Sequence, residues 1–255
     1  MEMLKVKNLK KVYNTKFGSR QFVVLNDVNF EVEKGEYVAI MGASGAGKTT
    51  LLNIIASLDK ATSGDIILEG KNFSDIKDKE LSAFRRDNLG FVFQDFNLLD
   101  TFTLRDNILL PLVLSNTKLI EMETRLTPIA EQLGITDLLD KYPYEVSGGE
   151  KQRAAVARAI ITNPKLVLAD EPTGALDSKA SKKLLDIFED LHKKGQTILM
   201  VTHSSMAASH ASRVLFIKDG ELFSQLYKGE ETNKEFFEKI VSNLSVLSDG
   251  GVDIG

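Results

Sequence analysis

The sequence contains no cysteine, and Lys and Arg are not gathered into a basic block. Without cysteine the chain can form neither a disulfide nor a thiolate metal site, which fits a reducing compartment. The formal net charge is −4 and the pI is about 5.6. Charge therefore does not favour nucleic acid as a partner.

Long apolar runs are also missing. The longest strongly apolar run covers residues 108–114 and includes Pro111, so it is far short of the roughly 20 residues that span a bilayer. The first ten residues alternate apolar and charged side chains, which predicts a strand rather than a signal peptide. We expect a chain that is soluble by itself and reaches a membrane only by binding a protein within it.

The remaining composition is that of a globular chain with a sizeable core, enough for one large or two small domains. The pattern predicts strands at 4–6, 22–25, 28–32, 37–41 and 66–68, and mainly helical structure over 97–160. Unalternating apolar runs at 166–169 and 198–201 are typical of strands buried on both faces. They flank a helix predicted over 178–194. This order predicts an α/β fold around a largely parallel sheet.

A phosphate-binding loop follows the predicted strand 37–41. Residues 42–49 read G-A-S-G-A-G-K-T and match G-x-x-x-x-G-K-[ST], between a strand and a helix as the motif requires. The glycines allow backbone N–H groups to surround a polyphosphate. Lys48 can reach the β- and γ-phosphates, and the Thr49 hydroxyl can bind Mg²⁺. A glycine-rich turn without function is the alternative, which the strand–helix context disfavours.

Chemically useful side chains also stand where two buried strands end. Asp170 and Glu171 follow the run 166–169, and His203 follows the run 198–201. Ligands bind outside the carboxyl ends of strands in open α/β sheets. Asp170 is suited to hold Mg²⁺ and Glu171 to orient or deprotonate a water. The alternatives are solvated acids and a structural histidine, and the presence of a phosphate loop disfavours both.

These motifs together resemble the ATP-binding cassette (ABC) family over residues 5–220. The family's signature sequence is similar to V-S-G-G-E-K-Q-R at 146–153. Its Q-loop is similar to G-F-V-F-Q-D, which contains Gln94, and its D-loop is similar to A-L-D at 175–177. His203 resembles its switch histidine. Tyr13 resembles the aromatic residue that stacks on adenine. The resemblance implies catalytic roles for Glu171, His203 and Gln94, and ATP and Mg²⁺ as ligands. It implies that Mg²⁺ is held by Thr49, Gln94 and Asp170. It implies nucleotide binding by Tyr13, Gly42, Ser44, Gly45, Ala46, Gly47, Lys48, Thr49, Thr50, Ser147, Gly148, Gly149 and Asp177.

The resemblance also implies an architecture and an assembly. The fold class is α/β: a P-loop NTPase cassette with a mainly parallel core sheet, an N-terminal antiparallel β subdomain and an inserted α-helical signature subdomain. One domain would cover 1–225, with the helical subdomain at about 97–160, and a helical tail would cover 226–255. The apolar spacing, which includes Leu244 and Leu247, also suits one amphipathic helix from about 221. Two copies would meet head to tail and enclose two ATP molecules. Each ATP would lie between one phosphate loop and the other copy's signature.

Closure and hydrolysis in such a dimer would drive a separate transmembrane permease. The permease would dock around residues 94–107, where we expect about half of the apolar side chains to belong to the core. The chain would then lie in the cytoplasm, peripheral on the inner face of the cell membrane. No nucleic acid partner is expected.

Longer matches narrow the resemblance. The chain resembles the macrolide-exporter and lipoprotein-release subgroup in three segments, which read L-L-N-I-I-A-S-L-D, K-Y-P-Y-E-V-S-G-G-E and D-E-P-T-G-A-L-D-S. Within it, F-I-K-D-G-E-L-F-S-Q-L-Y-K-G is most similar to ATPases of Gram-positive bacitracin-type antimicrobial-peptide resistance transporters. Those imply an FtsX-like permease and a connection to a sensor kinase. A lipoprotein-release system or another FtsX-like permease is the alternative.

Two positions depart from the family pattern, since Glu150 stands where Gln is common and Ser204 where Asp is common. Ser147 and Glu150 have the spacing of a capping box, so we expect the Glu150 carboxylate to turn back to the Ser147 N–H. Gly148 and Gly149 would then leave the first helical turn accessible to a γ-phosphate.

Other classes of cassette ATPase fit less well. The interval 94–147 is too short for the coiled coil of the DNA-repair type. The chain holds one cassette rather than the two usual in ribosome-associated proteins. A non-catalytic cassette would not need Lys48, Asp170, Glu171 and His203, which are all present.

Overall fold

Two sheets organise the chain in a computed structural model that describes residues 2–14 and 21–249, with side chains through residue 246. The strands are β1 (Glu2–Asn14), β2 (Gln21–Glu33), β3 (Tyr37–Met41), β4 (Ser63–Leu68), β5 (Lys71–Asn72), β6 (Leu89–Val92), β7 (Leu166–Asp170), β8 (Thr197–Val201), β9 (Arg213–Lys218) and β10 (Glu221–Tyr227). The helices are α1 (Lys48–Ile55), α2 (Asp78–Asn88), α3 (Leu104–Leu114), α4 (Leu119–Leu133), α5 (Gly148–Ile160), α6 (Ser178–Lys193), α7 (Ser205–Ala208) and α8 (Asn233–Asp249).

The central sheet has the strand order β10-β9-β3-β8-β7-β6. Its strands are parallel except β10, which is antiparallel to β9. β3 and β8 are buried along their whole length, as their unalternating apolar sequences predict. Successive residues of β3 enter different cores, with Ala39 on the side of the helical subdomain and Ile40 on the side of α1 and the second sheet. The α/β fold with a mainly parallel core sheet is confirmed.

The second sheet has the order β2-β1-β4-β5 and is antiparallel throughout. This is the predicted N-terminal β subdomain. The strands predicted at 22–25 and 28–32 are one strand, β2, which continues through Asp27 at a backbone φ of +53°. β1 is likewise longer than predicted, because register shifts let it follow both neighbours across thirteen residues.

The inserted helical subdomain consists of α3, α4 and α5. Its first helix begins at Leu104, so residues 97–103 form a loop rather than helix. The fully buried Asn107 holds this loop, because its amide accepts from Leu99 N and donates to the Leu99 and Phe102 carbonyls. In the segment predicted to dock a permease, Leu104 is buried whereas Leu99 and Phe102 are exposed.

The C-terminal tail differs from the prediction. A helical tail from 226, or even from 221, is wrong at its start, because residues 221–227 form β10 on the edge of the central sheet. The preceding turn contains Asp219 and Gly220 at φ of +51° and +81°, the backbone of a type I′ hairpin that Asp-Gly favours. The predicted tail helix is α8, which buries Phe236. The side chain of Leu247, and residues 250–255, lie outside the described residues.

Within the described part of the chain, no helix combines the length and apolar character needed to cross a membrane.

Candidate nucleotide-binding and hydrolysis site

The phosphate loop joins β3 to α1 and has the backbone that its glycines predict. Gly47 lies at φ +96°, and a Cβ there would be 2.7 Å from the Val24 carbonyl oxygen. A Cβ at Gly42 would be 2.3 Å from the carbonyl oxygen of Ile217. Both positions therefore require glycine. The loop leads into α1, whose first N–H groups have no partner within the helix and are suited to an anion.

Lys48 is the cation of this loop. Only 8% of the residue is exposed, and its ammonium donates to the carbonyl oxygens of Gly42 and Ala43 at 2.8 and 3.0 Å. Burial of the stem against the loop restricts the ammonium to the mouth of the loop, where phosphate oxygens would meet it.

Oxygen donors suited to Mg²⁺ lie beside the loop. Thr49 Oγ1 is 3.4 Å from Asp170 Oδ1 at the end of β7. Burial raises the pKa of Asp170, and the nearby Glu171 charge raises it further; a bound cation would relieve both effects. Across residues 2–14 and 21–249, no group of three or more His, Cys, Asp or Glu side chains has metal-binding spacing. A magnesium site here would therefore combine a hydroxyl, one carboxylate and an amide.

Glu171 has an unusual backbone conformation, and neighbouring side chains hold its carboxylate in place. It lies in the left-handed region at φ +45°, a conformation that costs a non-glycine residue about 1 kcal/mol or more. Its N–H donates to the Val201 carbonyl at 2.9 Å. The Thr202 hydroxyl donates to Oε2 at 3.1 Å, and His203 Nδ1 lies 2.8 Å from Oε1. The parallel pairing of β7 with β8 brings these three residues together.

Ser204 stabilises the backbone that follows His203. Its hydroxyl accepts from the Ala207 N–H at 3.2 Å and caps α7. Its own N–H donates to the Thr202 hydroxyl at 3.0 Å. The segment around His203 is therefore held on both sides despite the departure from the family pattern.

The phosphate loop, Glu171 and His203 line one cavity of about 360 Å³. Its lining residues come from the phosphate loop and the two strand ends and are Val24, Ser44, Gly45, Gly47, Lys48, Thr49, Thr50, Glu171 and His203. One cavity thus joins a cationic phosphate loop to a carboxylate that can accept a proton.

The start of α5 is a second, separate feature. Ser147 is its N-cap, and its N–H and hydroxyl both donate to Glu150 Oε2 at 2.8 Å. These two donors hold the pKa of Glu150 below its usual range. The Glu150 N–H donates back to the Ser147 hydroxyl at 3.4 Å, which completes the predicted capping box. The prediction that Glu150 caps its own helix is confirmed.

A cavity of about 360 Å³ also opens at this helix start. Its residues are Ser147, Gly148, Gly149, Glu150, Arg153, Ala175, Leu176, Asp177, Lys179, Ala180 and Lys183. Asp177 caps α6 by accepting from the Ala180 N–H at 2.8 Å. No residue lines both this cavity and the one at the phosphate loop. Within one chain the signature residues and the phosphate-loop residues therefore belong to different pockets.

The two remaining predicted site residues, Tyr13 and Gln94, are not among the residues that line either cavity. Tyr13 is 42% exposed, donates its hydroxyl to Asp59 at 2.6 Å and interacts with Thr50 of α1. The Gln94 side chain packs on the loop after Glu171, since a Cβ at Gly174 would be 3.1 Å from its amide nitrogen.

Three residues that organise the site are absent from the sequence-based predictions. Gln152 is fully buried, and its amide donates to the carbonyls of Phe93 and Pro172, next to Gln94 and Glu171 in the chain. Arg158 donates to the carbonyls of Phe96 and Asn97, which are both at positive φ. Gln152 carries a sequence signal, because it is a polar residue on the otherwise apolar buried stripe of α5. Thr202, which holds the Glu171 carboxylate, has no such signal in the sequence.

Comparison with known proteins agrees with this geometry. Residues 25–174 match the ABC transporter family model. The chain is 49% identical to the bacitracin export ATP-binding protein BceA of Halalkalibacterium halodurans, over 99% of this chain and 98% of that protein. It is 38% identical to the macrolide export ATP-binding/permease protein MacB of Aggregatibacter actinomycetemcomitans, over 97% of this chain but 37% of that protein.

A solved structure is similar as well. It is the dimeric, post-hydrolysis state of the ATP-binding cassette MJ0796 bound to ADP and Pi, with a TM-score of 0.80 and 38% identity. The alignment covers 88% of this chain and 98% of that chain. With the fold, the phosphate loop and the signature helix in place, the chain belongs to the ABC transporter family as an ATP-hydrolysing, ATP-binding cassette.

Proposed function

We propose that two copies of this chain pair head to tail and hydrolyse ATP at two shared sites. The separation of the phosphate-loop cavity from the signature cavity supports this proposal most directly, because each cavity offers half of the donors that a triphosphate needs. The dimeric form of the similar cassette bound to ADP and Pi supports the same arrangement.

In this arrangement the nucleotide is held by groups of both copies. One copy supplies the loop from Gly42 to Thr50, including Ser44, Gly45, Ala46 and Gly47 through their backbone and Lys48 through its charge. Tyr13 offers an exposed ring beside α1 for adenine. The second copy supplies Ser147 and the N–H groups of Gly148 and Gly149, which would face the γ-phosphate at a positive helix end. Asp177 shapes the same surface as the cap of α6.

Thr49, Asp170 and Gln94 would hold Mg²⁺, which supplies charge neutralisation at the β- and γ-phosphates. The hydroxyl and carboxylate oxygens of Thr49 and Asp170 are near enough to share one cation. The Gln94 side chain packs on Gly174, and from there it would sense whether the γ-phosphate is bound.

Hydrolysis requires a base at the γ-phosphate, and Glu171 has the geometry for it. A water attacks the γ-phosphorus, the bond to the ADP oxygen breaks, and Glu171 accepts the proton of the water. The Thr202 hydroxyl fixes Oε2, and Oε1, which contacts His203, would accept the proton once His203 moves away. His203, exposed at the cavity, can move from Glu171 to a γ-phosphate oxygen when the dimer closes.

We further propose that the movement of the dimer drives a transmembrane permease that docks on a groove beside the helical subdomain. The groove has a volume of about 480 Å³. Its apolar lining comes from the turn after α1, from β6 and from α3 and includes Leu58, Phe91, Leu110, Pro111 and Leu114, and its polar lining includes Arg85, Arg86 and Arg158. It overlaps the predicted docking segment at Asn97. The chain would then act on the cytoplasmic face of the membrane.

A charge placed in this groove should break the complex. Leu114 is 62% exposed, so we expect Leu114→Glu to fold normally and to reduce co-purification of an FtsX-like permease by about tenfold. Val241→Glu, at an exposed apolar position of α8, is the matched control and should retain the permease. Equal recovery of the permease with both variants would place docking elsewhere.

The proposed physiological role is antimicrobial-peptide resistance of the bacitracin and lantibiotic type, with a sensor kinase connected through the permease. The similarity to BceA over nearly the full length of both proteins supports this choice. Deletion of the gene should raise susceptibility to at least one such peptide, and a plasmid copy should restore resistance whereas a Lys48→Ala copy should not. Unchanged susceptibility across a broad panel would favour a lipoprotein-release role instead.

A further inference from the structure

A half-buried polar cluster attaches the C-terminal helix α8 to the body of the protein. Asn233, the first residue of α8, donates from its amide to Glu189 Oε1 of α6 at 2.6 Å. Glu189 Oε1 is also 2.7 Å from Nδ1 of His210, and the Asn233 amide nitrogen is 3.2 Å from the same ring atom. Lys228, which follows β10, donates to the side-chain amide oxygen of Asn233. One asparagine therefore contacts groups of three other segments.

Apolar packing continues the attachment beyond the cluster. Phe236 and Ile240 are fully buried. They belong to the same core cluster as Phe188 of α6 and Ala207 and Ala208 of α7. A capping box at Thr232 and Glu235 fixes the start of α8. The helix is thus anchored where it begins, at the Glu189–His210 pair.

Two of the segments that contact Asn233 lead to the hydrolysis site. His210 follows α7, which begins directly after His203 and the capping residue Ser204. Glu189 belongs to α6, which is capped by Asp177 of the D-loop. α7 is a single turn of four residues, too short to keep a fixed position without partners. It packs against β3 and α8, and the bonds at His210 hold the segment that follows it.

We propose that Asn233 is a positioning residue for hydrolysis, acting through His210 and α7 on the placement of His203. This inference rests on the proposed role of His203 at the γ-phosphate. The alternative is that α8 only adds stability. The two differ in what they change, since a positioning residue alters the rate of the chemical step whereas a stabilising contact alters the free energy of unfolding.

Asn233→Ala removes the amide bonds and keeps the helix. In the full-length chain we expect kcat for ATP hydrolysis to fall about fivefold or more with KM for MgATP unchanged within about twofold. Lys239→Ala is the matched control: it breaks an ion pair with Glu231 on the exposed side of the same helix and should leave kcat unchanged. Thermal unfolding of both variants measures any loss of stability.

A double-variant comparison identifies the route. In a His203→Ala background, single-turnover hydrolysis should be slowed by Asn233→Ala less than about twofold, because the residue through which Asn233 acts is gone. A similar fivefold loss in both backgrounds would overturn the inference, and so would an Asn233→Ala enzyme with wild-type kcat. The failure of the proposed function is a separate result, namely His203→Ala with wild-type hydrolysis.

Discussion

Glu171→Gln should lower ATP hydrolysis by about 10² to 10⁴-fold, the range expected when a general base is lost. The amide oxygen can still accept from the Thr202 hydroxyl, so the side chain should keep its place. In the proposed site ATP is held by the phosphate loop and the signature helix, so ATP binding should persist. The variant should therefore accumulate as a closed dimer with ATP, visible as a dimer peak in size-exclusion chromatography and as slow phosphate release.

Glu150→Gln is the matched control for that experiment. The same isosteric change is made at an acid of the signature helix whose carboxylate accepts from Ser147. A glutamine amide oxygen can accept the same bonds, so most of the hydrolysis rate should remain. Wild-type hydrolysis by Glu171→Gln would contradict the role proposed for Glu171. A loss of equal size in Glu150→Gln would show instead that Glu150 acts on the nucleotide.

Two inactive variants should restore activity when they are mixed. Lys48→Ala removes the cation of the phosphate loop. Gly148→Asp places a carboxylate at the signature helix start, where a Cβ meets its nearest neighbours, Leu176 and Phe96, at 3.7 Å, so the fold has room for it. Each variant alone should hydrolyse ATP at least about 10²-fold more slowly, because both sites of its dimer carry the defect.

An equimolar mixture should recover about a quarter of wild-type hydrolysis, because half of the random pairs are mixed and each mixed pair has one intact site of two. The intact site combines the normal loop of one copy with the normal signature of the other. As a control, Lys48→Ala mixed with a Lys48→Ala, Gly148→Asp double variant should stay inactive. No recovery in the first mixture would contradict a site shared between copies.

Most errors of sequence-based prediction here concern the edges of elements. A tail helix predicted from 221 covers the residues of β10, although these alternate in exposure as an edge strand does and follow the Asp219-Gly220 hairpin signal. β2 was divided in two because Asp27 interrupts its pattern. In both places the sheet supplies hydrogen bonds that local sequence does not reveal.

The sequence by itself determined the features that depend on short spacing. The phosphate loop, the capping box of Ser147 and Glu150, and the acids at the end of β7 all follow from residues within a few positions of one another, where backbone geometry fixes the outcome. Only the tertiary structure decided which distant groups meet. Glu171 finds Thr202 and His203 because β7 and β8 are parallel neighbours, and Asn233 finds Glu189 and His210 because α8 packs over α6 and α7. Such contacts depend on which elements pack together in the folded chain, which no spacing along the chain encodes.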